Sequence, residues 1–464
     1  MPPTNAYPQE LRQLHENIVT DELSRTPSSG AVKALVTRLQ KDGSWNDINY
    51  ASQERGGWPA AQHLSRLLDM ARAYRNPPSK LQGDPALAKA IRASLDYWLE
   101  HDFQCPNWWY PEIFVPKTLG PVMLLMEDEL TPEQKTRGLV LLDRAKIGMT
   151  GQNKVWLAGD VLVKALLLKD VSLARQAADA IKSEFVVGPD EGIQADGSFH
   201  QHGAQLQMGN YGLAYAGEMP HWIAILRGTP FQTDEAALAI LRNYLLDGLQ
   251  WITWKHGVDI SCCGRQLFPK CQANKADGVA RSLSYMPTID PDHATDYQRA
   301  SDYRNLSGNR HFWRSDIQIH RTPDYYYSVK MSSKRVVGSE SCNSENLLGF
   351  YLGDGASFLY QSQKEYDNIF PFWNWKKIPG TTTIQDLAPL PLPNKQRMMQ
   401  EFVGGVSDGV QGIAALDYKR RNLWARKAWF LFGDQIVCLG AGIHSTNRCA
   451  VATTINQSYR VGQI

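Results

Sequence analysis

The feature that most constrains this chain is a change of texture near residue 300. From about Ile18 to His293, apolar residues recur at helical spacing amid Ala, Leu, Lys and Glu, and residues 88–103 and 155–182 read as the clearest helices. Breaks at Arg75-Asn76-Pro77-Pro78, Leu130-Thr131-Pro132 and Gly188-Pro189-Asp190 separate them, and Thr131 followed by Glu133 and Gln134 reads as a helix start. Helical hairpins in series fit an α-solenoid or an α/α toroid, and the lack of a strict period disfavours a regular repeat family. After about Arg310 the chain turns to short runs rich in Tyr, Val, Phe and Ile, at 325–331, 356–361, 412–418, 424–432 and 435–439. Gly353-Asp354-Gly355 and Gly433-Asp434 mark turns between them. Helices followed by strands predict an α+β multidomain chain, helical over residues 1–300 and antiparallel β over 310–464. The last strand-like stretch runs straight into Gly462-Gln463-Ile464, so we expect the β half to be incomplete.

Composition narrows the function. With 464 residues, 43% of them hydrophobic and 21% charged, the chain has material for a sizeable core. Lys+Arg 49 against Asp+Glu 47 leaves a net charge of +2, which removes the basic footprint of a dedicated nucleic-acid binder. An anionic ligand must therefore be met by a local site. No apolar run approaches the roughly 18 residues of a membrane span. The first residues lack the basic and apolar regions of a secretory signal. The seven Cys are odd in number and without CxxC spacing, so Cys262, Cys263 and Cys271 read as structural thiols rather than a metal site. Aromatics reach 10%, with 14 Trp and 19 Tyr, which suits stacking on sugar rings.

Three segments stand out. Asn107-Trp108-Trp109-Tyr110-Pro111-Glu112-Ile113 is either a wedge holding a loop on the helical core or a sugar-stacking wall. Phe370-Pro371-Phe372-Trp373-Asn374-Trp375-Lys376-Lys377 is equally open between the two. In Asp196-Gly197-Ser198-Phe199-His200-Gln201-His202-Gly203 two His are followed by Tyr211. No carboxylate sits at a familiar metal-ligand spacing, so an acid/base His and Tyr pair competes with an ordinary hydrogen-bonded one.

Together these segments resemble polysaccharide lyase family 8, the chondroitin AC, hyaluronate and xanthan lyases. The matching stretches are NWWYPEIFVP (107–116), TGQNKVW (150–156), GIQADGSFHQHGAQLQMGNYG (192–212), Gly264-Arg265, NSEN (343–346) and WKKIPGTTT (375–383), in the family's order over most of the chain. The resemblance implies an N-terminal helical α/α toroid followed by an antiparallel β-sandwich. It puts the family's catalytic Asn on Asn153, His on His202, Tyr on Tyr211 and first Arg on Arg265. Glu345 and Asn346 take the places of the cleft-facing Glu and Asn, and Trp108 and Trp109 those of the aromatic patch. One departure stands out: a second Arg usually lies four residues after the first, and here that place is Pro269, with Lys270 adjacent to supply the charge.

The implied chemistry is β-elimination on a 4-linked uronic acid, most readily chondroitin or hyaluronan. A free Tyr has a pKa of about 10, so Tyr211 needs a nearby cation, and Arg265 is the one expected to favour its phenolate. Each residue also has a plainer reading: Asn153 as a helix N-cap, Arg265 as an ion-pair partner of Asp259, Glu345 as a solvated turn residue, and His200 as structural. The resemblance further implies no cofactor for catalysis, leaving room for a structural Ca²⁺. It also implies an acidic polysaccharide as partner; we expect a monomer and, since such a polymer is too large to import, a secreted or periplasmic location whose signal is not in this chain. The rivals are a glycoside hydrolase using paired carboxylates such as Glu112 and Asp196, and an inactive acidic-glycan-binding protein.

Overall fold

The computed structural model describes residues 6–461. Two compact units divide the chain: one runs to Phe185 and adds His221–Glu235, and the other comprises Val186–Pro220 and Ala236 onward.

The first unit is built of helices whose ends follow from capping chemistry. Pro85–His101 starts at Asp84, whose carboxylate accepts from the Ala86 and Leu87 amides, and stops where Asp102 turns left-handed at φ 43°. Pro132–Leu142 opens with the capping box expected at Thr131, closed by Gln134. The helix read over 155–182 is in fact two, Gly151–Leu168 and Val171–Lys182. Lys169 adopts φ 57° and Asp170 caps the next helix through the Leu173 amide, so local polar chemistry interrupts an otherwise continuous apolar pattern. The unit has two layers. Ala61–Arg75, Val115–Leu125 and Gly151–Leu168 pack side by side, and Pro85–His101, Pro132–Leu142 and Val171–Lys182 lie against them as the outer partners of helical hairpins. The inner helices are the more apolar; Val115–Leu125 is buried at Val115, Leu119, Val122, Met123 and Leu124. Gly159 admits the Trp222 ring so closely that a Cβ there would lie 2.5 Å from it.

The second unit carries two four-stranded antiparallel sheets. One runs in the order Gly308–Phe312, Ile317–Arg321, Tyr326–Lys330, Ala356–Tyr360. The other runs Val403–Ser407, Gly412–Arg420, Leu423–Phe432, Gln435–Ser445, its last hairpin turning at Gly433-Asp434 as expected. Tyr327 and Val329 of the first sheet share a core with Ala414, Leu416, Tyr418, Ala425, Trp429 and Leu431 of the second, which makes the pair a sandwich. The strands at 308–312 and 317–321 are not in the sequence reading, because their Asn, Arg, His and Gln residues hide the apolar alternation. The opposite face of Tyr326–Lys330 is buried too: Tyr326 donates to Asp259 Oδ2 at 3.2 Å, beside the short 3-10 turn Ile260–Cys262. That turn leads directly to Arg265.

Candidate active site

Three pieces of the second unit converge on Tyr211. The first is the small hairpin of Gly192–Ile193 and Phe199–His200. Asp196 clasps its turn, accepting from the Ser198 amide at 2.9 Å, the Ser198 hydroxyl at 2.7 Å and the Arg314 amide at 2.6 Å. Beyond the hairpin the chain turns sharply at His202, which takes φ 62°, a left-handed conformation rare for a residue with a Cβ. The Glu191 carboxylate holds that turn by accepting from the Gly203 amide at 2.7 Å. The second piece is the start of the helix Tyr211–Leu226. Gly212 is needed there, since a Cβ would lie 2.3 Å from the Tyr244 hydroxyl and 2.9 Å from Phe199 Cβ. The third is the loop after Cys263, where Gly264 at φ +58° delivers Arg265.

The side chains make one hydrogen-bonded network. His202 Nδ1 lies 2.9 Å from both oxygens of Glu340. A carboxylate accepts only, so Nδ1 carries a proton, and Nε2 is the nitrogen left to accept from a neighbouring donor. Tyr211 donates its hydroxyl to that Nε2 at 3.1 Å. Arg265 uses each edge of its guanidinium: Nε donates to Glu345 Oε2 at 2.8 Å, Nη1 to Glu340 Oε1 at 3.0 Å and Nη2 to the Tyr211 hydroxyl at 3.4 Å. Gln207 Nε2 completes the shell of Glu340 at 3.0 Å.

The electrostatics run partly against the sequence reading. Burial raises the Tyr211 pKa; Arg265 pulls it down, but Glu340 adds to the rise, and the net is above the ordinary value. Arg265 alone therefore does not make a phenolate here, because the hydroxyl is buried and the cation is shared with two carboxylates. Burial also opposes the charge on Arg265, yet Tyr211, Glu340 and Glu345 outweigh it and hold the guanidinium charged. Burial raises Glu340, but the His202 and Arg265 contacts prevail and keep it a carboxylate. Glu345 goes the other way, raised by burial despite Arg265.

The remaining expected residues fall as follows. Asn346 at φ 54° donates Nδ2 to the Ser339 hydroxyl at 3.0 Å and the Glu340 carbonyl at 2.9 Å, so it fixes the backbone that carries Glu340. Lys270 is exposed, and its amide donates to Asn368 Oδ1 at 2.7 Å as the helix Cys271–Tyr285 begins. In the helical unit, Asn153 is the third residue of its helix rather than the cap, which is Thr150. It is 4% exposed, and its Oδ1 has no hydrogen-bond partner among the described residues. Trp108 is 39% exposed, whereas Trp109 is wedged edge-on against Tyr110 and Trp156. Arg265 does not pair with Asp259, which instead accepts from Tyr326, Tyr360 and Ser261. His200 is buried on Ser315, as a structural His would be. The loop of Trp373 and Trp375 is folded onto its unit, with Lys376 bound to Asp386. Glu340 is the residue the sequence reading missed: Gly338-Ser339-Glu340-Ser341 contains nothing that separates a buried acid from a solvated one. No group of three or more His, Cys, Asp or Glu among the described residues is arranged to hold a metal ion, and no described helix is long and apolar enough to cross a membrane.

Residues 19–283 match the N-terminal alpha-helical domain of polysaccharide lyase family 8, and residues 307–464 match its super-sandwich domain. The chain belongs to polysaccharide lyase family 8. It is 35% identical over 444 residues to a chondroitinase AC of Pedobacter heparinus, covering 92% of this chain and 63% of that protein. A xanthan lyase of a Bacillus species is 24% identical over 509 residues, covering 96% of this chain and 54% of its own. Among solved structures, a chondroitinase AC lyase studied with oligosaccharides superposes with a TM-score of 0.88 at 32% identity, over 98% of this chain and 70% of that one. The chain thus spans between about half and two thirds of the curated relatives named here.

Proposed function

We propose that this chain cleaves a uronic-acid-containing polysaccharide, chondroitin first and hyaluronan next, by β-elimination with Tyr211 as the proton carrier. The observation that carries this reading is the placement of one phenol oxygen between an accepting His202 Nε2 and a donating Arg265 Nη2. His202 takes the phenol proton on Nε2, while Glu340 holds the Nδ1 proton and stabilises the imidazolium that forms. Arg265 then lies against the phenolate. Tyr211 removes the C5 proton of the uronate, the electron pair left at C5 forms the C4=C5 double bond, and the C4–O bond breaks. The protonated Tyr211 returns that proton to the departing oxygen. Asn153 takes the uronate carboxylate through its amide nitrogen, a role that rests on the family resemblance. Its Nδ2 donor would stabilise the charge that builds on the carboxylate as C5 is deprotonated. Trp108 offers an exposed face for stacking, Glu345 and Asn346 hold Arg265 and Glu340, and Lys270 supplies positive charge near the place of the missing second Arg.

The hydrolase reading loses its footing at Asp196, whose oxygens are spent on the Ser198 and Arg314 groups of a turn. The substrate is a polymer too large to import, so we place the enzyme outside the cytoplasm, acting as a monomer. A panel of chondroitin, hyaluronan and xanthan read by ultraviolet absorbance tests the reaction and the substrate together. Conjugated unsaturated uronate ends accumulate first on chondroitin if the reading holds. Polymer binding with no new chain ends on any of the three would make the protein a binding module instead.

A further inference from the structure

Behind the tyrosine network lies a buried ammonium held by neutral oxygens rather than a carboxylate. Lys275, on the helix Cys271–Tyr285, is 6% exposed. Its Nζ donates to the Gly209 carbonyl at 2.6 Å, Asn210 Oδ1 at 2.5 Å and Gln266 Oε1 at 2.8 Å, which uses all three of its protons. Burial pushes its pKa below the ordinary value. An ammonium in such a place is costly to keep, so its position calls for a reason.

Its acceptors supply one. Gly209 and Asn210 immediately precede Tyr211, and Gln266 immediately follows Arg265, so one side chain spans the two segments that bring the phenol and the guanidinium together. A second connection runs through side chains. Asn210 Nδ2 donates to Gln207 Oε1 at 3.0 Å, and Gln207 Nε2 donates to Glu340 Oε1 at 3.0 Å. An amide can present either its oxygen or its nitrogen, and the partners decide which. The ammonium demands the oxygen of Asn210, which turns Nδ2 toward Gln207; Gln207 must then accept there and present its own nitrogen to the Glu340 carboxylate. Gly264 leaves a slot for this pair, since a Cβ there would lie 2.5 Å from Asn210 Nδ2 and 3.0 Å from Gln207 Oε1.

We propose that Lys275 is a positioning residue of the tyrosine site, setting the direction of the Asn210 and Gln207 amides so that a donor, not a carbonyl oxygen, meets Glu340. Glu340 is thereby kept on His202 Nδ1, and His202 on Tyr211. The proposal rests on the lyase reading for its kinetic consequences and on hydrogen bonding alone for its structural ones. Without the ammonium both amides are free to rotate, and a Gln207 oxygen turned onto the carboxylate would push Glu340 away from His202.

The test uses Lys275→Met, which keeps length and volume, and Asn210→Asp, which keeps Lys275 partnered but removes the donor to Gln207. Both should lower kcat on chondroitin by about tenfold or more while KM stays within about twofold. A Gln207→Leu change should cost no more in the Lys275→Met background than the single variants do, since all break one chain. Val279→Ala, a buried change on the same helix, loses melting temperature with kcat unaltered and serves as the stability control. Independently of turnover, the His202 Nδ1–H resonance in ¹⁵N-His-labelled protein, protected by Glu340, should broaden or vanish in Asn210→Asp, which retains the buried ion contact and the fold. If that resonance is unchanged the proposal is overturned, whether or not the protein proves to be a lyase. If wild type makes no unsaturated product but the resonance is lost, the lyase reading fails and the positioning role stands.

Discussion

The two parts of the molecule that carry the candidate residues differ in how much of their hydrogen bonding is already complete. Around Tyr211, His202, Arg265, Glu340 and Glu345 are bound to one another, and Arg265 spends every edge of its guanidinium. In the helical unit, Asn153 keeps a buried oxygen with no partner among the described residues, and Trp108 presents an exposed ring. Proton transfer needs distances fixed before substrate arrives, and a closed network provides them. Binding needs groups left unsatisfied until a ligand comes. The difference therefore separates the closed network, which should control rate, from the exposed Trp108, which should control affinity, with Asn153 between them as a group that meets its partner only when the reacting carboxylate arrives.

The sharpest way to break the comparison is Tyr211→Phe, which keeps the ring and deletes the oxygen that the proposed elimination uses in both proton transfers. Its kcat should fall by about 10⁴-fold, the upper end for positioned proton transfer, with polymer binding nearly intact by a pull-down or calorimetric measurement. Asn153→Ala follows: loss of one preorganised donor to a developing oxyanion costs about 10²–10³-fold in kcat. A loss confined to KM would move Asn153 to the binding side of the comparison. Third is Glu340→Gln, which removes hydrogen bonds to a buried charge worth about 1.5–3 kcal/mol in unfolding free energy. The folded-state pKa of Glu340 lies below its unfolded value. Its contribution is therefore fully present above about pH 4.3, the unfolded carboxyl value, and is lost as pH falls through the lower folded value. The melting-temperature gap between wild type and Glu340→Gln should be widest above that pH and close below it; a gap that widens in acid would contradict the assignment. The smallest effect belongs to Trp108→Ala, where a lost aromatic contact of about 0.5–1.5 kcal/mol should raise KM severalfold and leave kcat alone.

Much of this was legible in the residues. The helical and strand halves announced themselves by period, and the Thr131 and Gly433-Asp434 signals stand where expected. The strand Ile317–Arg321 did not, because Gln318, His320 and Arg321 are all buried, and His320 and Arg321 bond the carbonyls of Gly433 and Gln250 far along the chain, which no local pattern reveals. The site behaves alike. His202, Tyr211 and Arg265 were found through motif resemblance, and the structure brings them within hydrogen-bonding distance. Glu340 lies 138 residues from the His it binds, and Gln207, Asn210 and Lys275 look like ordinary polar residues until their donors and acceptors are traced. The effect of Arg265 on Tyr211 was read with the right sign, but burial of the hydroxyl, invisible in sequence, outweighs it. Glu345, whose plainer reading was a solvated turn residue, instead accepts from Arg265 Nε.

The central claim is that a side chain, not water, moves the proton while the C4–O bond breaks. Cleavage of chondroitin in ¹⁸O-enriched water, with new chain ends weighed by mass spectrometry immediately after mixing, tests it most directly. The account predicts fragments whose masses sum to that of the parent chain, one bearing an unsaturated uronate and the other a reducing end free of ¹⁸O, since its oxygen is the original bridging one. Fragments heavier by one water, with ¹⁸O at the new reducing end and no ultraviolet chromophore, would contradict it and make the protein a hydrolase.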